Sequence, residues 1–502
     1  MAIVVVACTY RIFFANHQTA PINAAYVAAI KAGISGDTAR NLALWAVPGA
    51  LLQIVGGARQ QLGVLFATGL LIASPMAGWM VAAGIACRLV AHRVLGATAR
   101  EKLEVFAGGV IAGDALYSFF SGVVKSFASS RFLPFLFSSS SHRNDESMKR
   151  NLTSDDVRAA IWGGAILGGG GGGLIESGER AARLALQVGA PQLWSVDEFD
   201  PSALTATMAL VGAPAAPDPH VQPAHLLRTL ELLRRELPAG QKLVGLHANE
   251  NGAETTVNGW FHAAMSGLPV IDLACNGRAH PSSVMGALGL HTEPDYLSVQ
   301  AYAGGEPGRY VEGVVSGRLE QTSAVVRRAS VEAGGLVAVA RNPVNVGYAR
   351  QHGAPGAISH AIALGQTYLD GGVDAVARSL EGRIVAEGEV RTYRCEQQEG
   401  LDVGIVELDD TARTVLRFIN EYMLLEQGGQ RIARFPDLVM TFAEDGKPVV
   451  SAHVRQGVKL RVLVAPRARL LLSRTMFMPE LYRPLEKSLG EAFAPAEEEV
   501  PA

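Results

Sequence analysis

The sequence predicts an α/β protein. A domain built on a mostly parallel sheet is followed by a second α+β domain with a β-rich C-terminal part, and a separate hydrophobic helical segment precedes both. Three observations carry this. After Met148, strand-length apolar runs alternate with amphipathic runs of helical length, the pattern of a parallel sheet with crossover helices. Beyond residue 320, short apolar runs are joined by turn residues instead. Before residue 125, long stretches carry no charge.

The elements follow in order. Thr153 or Ser154, ahead of Asp155 and Asp156, marks a helix N-terminus, where a hydroxyl caps free amides and acid favours the dipole. The glycine run Gly168–Gly173 precedes a helix over Glu176–Val188. Thr207–Pro214 reads as a buried strand ending in a turn, and His225–Glu236 as an amphipathic helix through Leu226, Leu227, Leu230 and Leu233. Lys242–Leu246 is a strand, Asn258–Ser266 a helix stopped by Gly267, and Val270–Asp272 another strand. A helix starts at Ala357, after Pro355-Gly356. Further on, Thr411–Leu425 reads as a helix, and Leu438–Phe442, Pro448–Ser451 and Lys459–Val464 as strands, with a hairpin turn at Glu444–Lys447. The expected division is 1–125 hydrophobic segment, 126–147 linker, 148–320 and 321–490 the two domains, and 491–502 a disordered tail.

In the first segment, Gln60–Cys87 is uncharged and longer than the ~20 residues a helix needs to cross a ~30 Å hydrocarbon core. Asn41–Ala58 and Val105–Val124 are further candidate spans, so membrane association through 1–125 is expected. Leu62–Ala73 and Gly108–Leu116 resemble the C-terminal tail of the oligopeptide transporter superfamily. The serine-rich stretch around Ser138–Ser141 reads as a linker, and Met148 as an ordinary protein start. The expectation is a transporter remnant fused to an enzyme, the latter cytoplasmic.

A net charge of −3 and 18% charged residues give no global basic field, so nucleic acid is not an expected partner. The four cysteines form no Cys-x-x-Cys pair, which argues against a zinc ribbon or a disulfide framework.

Candidate chemistry gathers at the ends of two strands. His247-Ala-Asn-Glu250 follows one, and Asp272-Leu-Ala-Cys-Asn-Gly-Arg-Ala-His280 the other. His247, Glu250, Asp272 and His280 suit a divalent metal or acid/base work, with His247, Asp272 and His280 as ligands to manganese or zinc, and Glu250 and His280 as proton carriers. Arg278 offers a planar fork for a substrate carboxylate, or a salt bridge to Asp272. Cys275 is a nucleophile or, more commonly after a buried strand, part of the core. Gly169, Gly170 and Gly171 read as a nucleotide loop, a close-approach turn beside a substrate pocket, or plain flexibility. Asn276, and Ser359 and His360 at a helix start, complete the candidate ligand-facing set, although capping and solvent exposure serve the last two as well.

From Met148 to about Gly490 the chain resembles the family of S-methyl thiohydantoin desulfurase, once a domain of unknown function found beside hydantoinases. The resemblance rests on Gly163–Gly172, Val211–Pro214, Glu250 with Gly252, Gly267–Asp272, Gly277–Pro281, Gly356–Ser359 and Phe435–Leu438. Three departures stand out. Gly252-Ala-Glu-Thr255 replaces a common Gly-Gly-x-Asn, Ala274 stands where a second acid is usual, and His280 where an aromatic is usual. The resemblance implies a hydrolase that removes sulfide or methanethiol from C2 of a thiohydantoin, such as 3-(5-oxo-2-thioxoimidazolidin-4-yl)propionate or its S-methyl form, in ergothioneine breakdown. In that reading Glu250, His280 and Arg278 are catalytic, metal-bound water attacks, and loop amides hold the developing anion. The alternatives are a hydantoin or amide hydrolase and a non-catalytic subunit of a hydantoinase-type complex; a homo-oligomer is compatible with each.

Overall fold

A computed structural model describes residues 149–213, 216 and 218–495. Two sheets organise these residues. The first contains β1 (Lys149–Asn151), β2 (Gln192–Trp194), β3 (Leu204–Gly212), β4 (Leu243–Ala248), β5 (Val270–Ala274), β6 (Ser298–Gly304), β7 (Val311–Gly317), β8 (Leu336–Asn345) and β9 (Ala354–Pro355). Its order is β1-β2-β5-β4-β3-β8-β6-β7, with β9 on β5. Helices α1 (Ser154–Gly168), α2 (Ile175–Val188), α3 (Pro223–Arg235), α4 (Trp260–Ser266), α5 (Leu319–Glu332), α6 (Val346–His352) and α7 (Ala357–Ser379) cover it.

The sheet is mixed rather than mostly parallel. Only β2·β5, β5·β4 and β4·β3 run parallel, while β1, β8, β6, β7 and β9 join antiparallel. The expectation failed because β6 and β7 form a hairpin across a short Gly-containing connection, and β8 is then inserted between β3 and β6. β8 lies beyond residue 320 yet pairs with β3 and β6, so the first sheet draws strands from both sides of that division. The second sheet starts only at Arg383.

That second sheet is antiparallel throughout: β10 (Arg383–Gln398), β11 (Leu401–Asp409), β12 (Thr414–Ile419), β13 (Glu421–Gln427), β14 (Gln430–Arg434), β15 (Leu438–Ala443), β16 (Pro448–Val449) and β17 (Lys459–Ala465), in the order β14-β13-β12-β11-β10-β17-β15-β16. The helix expected over 411–425 is a hairpin of β12 and β13. Its Thr, Val, Phe and Ile favour strand, and burial alternates from Thr414 through Leu416 to Phe418. Asn420, at φ 54°, makes the tight reversal that no helix contains.

Elsewhere local chemistry prevails as expected. Thr153 caps α1 in a reciprocal box with Asp156, and Gly267 ends α4 at φ 74°. Helix α8 (Arg483–Leu489) follows the second sheet. The expected tail is anchored at its start: Phe493 is buried against Tyr482, and the Glu486 carboxylate accepts the amides of Phe493 and Ala494 at 2.8 Å.

Among the described residues no helix is long and apolar enough to cross a membrane. The spans expected within 1–125 and the linker at 126–147 lie outside those residues.

Candidate active site

Strands β4 and β5 are parallel neighbours, so their C-terminal ends release Asn249-Glu250 and Cys275–His280 at the same edge of the sheet. The ladder continues one step further, through Cys275 N–H to Ala248 O and Asn276 N–H to Asn249 O, both at 3.0 Å. This fixes the two segments side by side. Glu250 Oε2 lies 2.9 Å from His280 Nδ1 and also accepts the His280 amide at 3.2 Å. With Nδ1–H given to Glu250, Nε2 is the ring's proton acceptor. Gly286 leaves room for that nitrogen, since a methyl group on it would overlap Nε2. Asn276 holds the pair rather than a ligand. Its amide donates to Met285 O at 2.9 Å and sits 3.4 Å from His280 Nδ1, while its oxygen accepts from Ser473 and Thr475.

A cavity of about 510 Å³ opens beside this pair, within the range of small-molecule sites. Asn249, Glu250, His280, Arg327, Arg341 and Glu421 are among the polar residues on its wall. Burial, and then the nearby Glu250, pushes the Glu421 carboxyl well above the usual carboxylate range. Glu254, on the wall as well, is pushed up to about 7 by burial. Burial draws Arg341 below the ordinary arginine value and Arg327 down to about 10.

The glycine run is a close-approach turn. Gly169, Gly170, Gly172 and Gly173 have φ of 59°, 100°, 77° and 86°, values that other residues rarely adopt. A methyl on Gly169 would overlap the Arg278 guanidinium, and one on Gly171 the Glu421 carboxyl. The amides of Gly169 and Gly171 bond back to Ile166 and Gly168, and the carbonyls of Gly169 and Gly170 accept from Tyr422 and Ser451. It is Gly172 and Gly173 that border the cavity, whereas Gly169 packs on Arg278, Gly170 on the Tyr422 ring and Gly171 on Glu421.

Arg278 is placed differently from its expected role. Its Nη1 donates to Pro436 O at 3.1 Å and Asp437 O at 2.6 Å, and it lies over the Phe435 ring. It is absent from the cavity wall, and its bonds to the second sheet make it a strut between the two sheets.

The three expected metal ligands do not assemble. His247 is directly opposite Thr207 on β3, and its ring nitrogens are bonded by Thr205 at 2.9 Å and Thr207 at 2.8 Å. Asp272 shares its strand face with Val270 and Ala274, and accepts the amides of Ile358 and Ser359 at 2.9 and 3.0 Å, capping α7. His280 is committed to Glu250. Among the described residues no group of three or more His, Cys, Asp or Glu is arranged to hold a metal ion. The donor set does not fit a divalent cation, and no chemical step below runs through one. Ser359 and His360 stay with that cap, away from the cavity wall. Cys275 is core, its thiol pushed up to about 11 by burial.

Two buried imidazoles predict a pH response. Desolvation drives His247 down to about 3 and His262 down to about 4. The unfolded chain therefore binds more protons than the folded one below the ordinary 6.5. The contribution of each imidazole is full above that pH and drains as pH falls toward 4, by roughly 1 kcal/mol per pH unit. Glu254 and Glu421, raised by burial, change stability in the opposite direction over the same range, so the test compares variants. Urea unfolding at pH 7 and pH 5 of the wild type beside His247→Gln and His262→Gln checks this. Each variant should lose less stability, or gain more, on going to pH 5 than the wild type. An unchanged pH difference in both would show that neither ring is held neutral.

Arg341, Arg327 and Glu421 escaped the sequence reading, whereas Glu254 is the second carboxylate of the His247–Glu254 stretch. One signal for Arg341 was available: it interrupts the apolar strand Leu336–Ala340, where a charge needs a reason. Glu421 had none, since it lay in a segment read as helix.

Comparisons with known proteins agree with the architecture. No curated protein matches the chain. The X-ray structure of a Chromobacterium violaceum protein is similar at a TM-score of 0.54 and 22% identity, covering 69% of this chain and 99% of that one; this likeness concerns the fold. Residues 155–305 match the S-Me-THD-like N-terminal domain and residues 318–476 the S-Me-THD-like C-terminal domain. With both domains matched in order, the chain belongs to the S-Me-THD-like family, that of S-methyl thiohydantoin desulfurase.

Proposed function

We propose that this protein hydrolyses C2 of a five-membered thiohydantoin, releasing sulfide from a 2-thioxo ring or methanethiol from an S-methyl ring. The observation that carries this is the Glu250–His280 pair on the wall of a cavity in a chain of this family. His280 Nε2 takes a proton from water as its oxygen bonds to C2, and Glu250 stabilises the imidazolium. His280 returns that proton to the sulfur of a thioxo ring or to the ring nitrogen of an S-methyl ring. The C2–S bond then breaks as Nε2 draws off the proton of the new hydroxyl and passes it to the departing sulfur, leaving C2 as a carbonyl and releasing sulfide or methanethiol. Glu421, held toward its protonated form, offers a hydrogen bond to a ring oxygen or nitrogen as charge builds there.

Turnover of 3-(5-oxo-2-thioxoimidazolidin-4-yl)propionate and its S-methyl form, measured beside the corresponding hydantoin, tests the reading. Release of sulfide or methanethiol supports it. Ring opening of the hydantoin alone would assign a hydantoin or amide hydrolase, and activity only after adding a hydantoinase would assign a non-catalytic subunit.

Every residue used above lies after Met148. A chain starting there is expected to keep its kcat within about twofold and to gain solubility, because long uncharged runs are costly to expose. Loss of turnover in a folded truncation would show that residues 1–147 belong to the enzyme.

A further inference from the structure

Arg341 is a cation on the cavity wall that the proposed chemistry leaves unused. It stands in β8, directly between Thr207 of β3 and Gln300 of β6, and is 1% exposed. Its Nη2 donates to Gly286 O at 3.1 Å. Its Nε and Nη1 are buried and find no acceptor among the described residues. Gly286 is also the residue packed on the His280 imidazole, so a single residue separates the guanidinium from the acid/base pair.

The charge around it is unbalanced. Arg327 lines the same cavity and adds a second guanidinium; its own donors go to Pro281 O, Ser283 and Gly400 O. The acids on the wall are Glu250, already engaged with His280, and Glu421 and Glu254, which burial shifts toward their neutral forms, while Arg180 adds a further cation. Free donors on a buried cation call for an acceptor with negative charge: the guanidinium is already desolvated in the folded protein, so an incoming carboxylate loses only its own hydration and regains charge-assisted hydrogen bonds. The cavity, about 510 Å³, holds more than a five-membered ring, which leaves space for an arm.

We infer that Arg341, supported by Arg327, is the anion seat of this cavity, and that it binds a carboxylate carried on an arm of the ring substrate while His280 faces C2. This rests on the reading of the site as a thiohydantoin hydrolase, and it transfers the carboxylate-binding role from Arg278 to a residue of the first sheet. Arg341 thereby sets specificity: acid-bearing rings are selected over their neutral analogues.

The test uses the full chain, its Arg341→Gln and Arg341→Lys variants, and two kinds of readout. Turnover is compared for the thioxo ring carrying a propionate and for the matching propionamide. Calorimetry with glutarate, a small carboxylate lacking the ring, reports the seat without any chemistry. The wild type is expected to favour the acid over the amide by at least about tenfold in kcat/KM, or about 1.4 kcal/mol. Arg341→Gln should raise KM for the acid by a similar factor, leave KM for the amide unchanged and abolish glutarate binding, with Arg341→Lys intermediate. Should the variants fail to fold, the wild type alone decides: equal use of acid and amide, with no glutarate bound, overturns the inference. Glutarate binding that survives Arg341→Gln in a folded protein overturns it too. If neither ring is turned over but glutarate binds in an Arg341-dependent way, the seat stands and the proposed reaction fails.

Discussion

Replacing Glu250 by Gln, or His280 by Asn, is expected to lower kcat/KM for the ring substrate by about 10²–10⁴-fold, the usual range for losing a positioned proton carrier. The two side chains are 6% and 7% exposed and 2.9 Å apart, so the charge of Glu250 reaches the imidazole with little screening by water. A glutamine at 250 can still accept from Nδ1, which keeps the ring in place, but it supplies no charge to an imidazolium. The loss should therefore fall on kcat, with KM nearly unchanged. Asn276→Ala tests the support one step back: it removes the bonds to Met285 O, Ser473 and Thr475 that fix the 276–280 segment carrying the imidazole, and a loss of about tenfold is expected. Steady-state kinetics with circular dichroism as a folding control measures all three. Full activity in Glu250→Gln would remove the pair from the chemistry.

That pair was legible in the sequence, and the reason is geometric. Two strand-length apolar runs separated by one helix imply parallel neighbours, and parallel neighbours release their C-terminal flanks at one edge. Glu250 and His280 follow from that. The same reasoning overreached for His247 and Asp272. They lie on the strands rather than beyond them, and alternation within a strand turns His247 toward Thr205 and Thr207 but Asp272 toward the start of α7. A candidate ligand inside a strand needs a face before it can be assigned a partner.

Arg278 and the glycine run show a different limit. Their partners, Phe435, Pro436, Asp437, Glu421 and Tyr422, come from the second sheet, well over a hundred residues away in the chain. Spacing within a motif carries no information about such contacts. The β12–β13 hairpin was misread because Leu416, Ile419 and Met423 also satisfy helical spacing. The β-branched and aromatic residues between them, with Asn420 at the reversal, decide for strand. Glu421 sits one residue past that reversal, so the error in local structure concealed a wall of the site.

Gly163→Ala is expected to destabilise the protein by about 2 kcal/mol or more, although Gly to Ala in a helix ordinarily gains about 1 kcal/mol. Gly163 is in the middle of α1, and its added methyl would coincide with the Ala361 carbonyl oxygen of α7. Gly365 repeats the arrangement in reverse, its methyl falling on the Ala159 carbonyl oxygen of α1. The obstacle is backbone on both sides, so no rotamer change relieves it, and the helices must separate. Separation would unpack Ile166, Leu167, Ala361 and Leu364, which share one core with strands of the second sheet. It would also move the glycine turn at the end of α1, beneath which Arg278 and Glu421 are packed, so activity should fall alongside stability. The double variant Gly163→Ala/Gly365→Ala should cost less than the sum of the singles, because one displacement accommodates both methyls. Urea unfolding of the three variants measures these differences. A single variant as stable as the wild type would show that α1 and α7 do not meet backbone to backbone at these glycines.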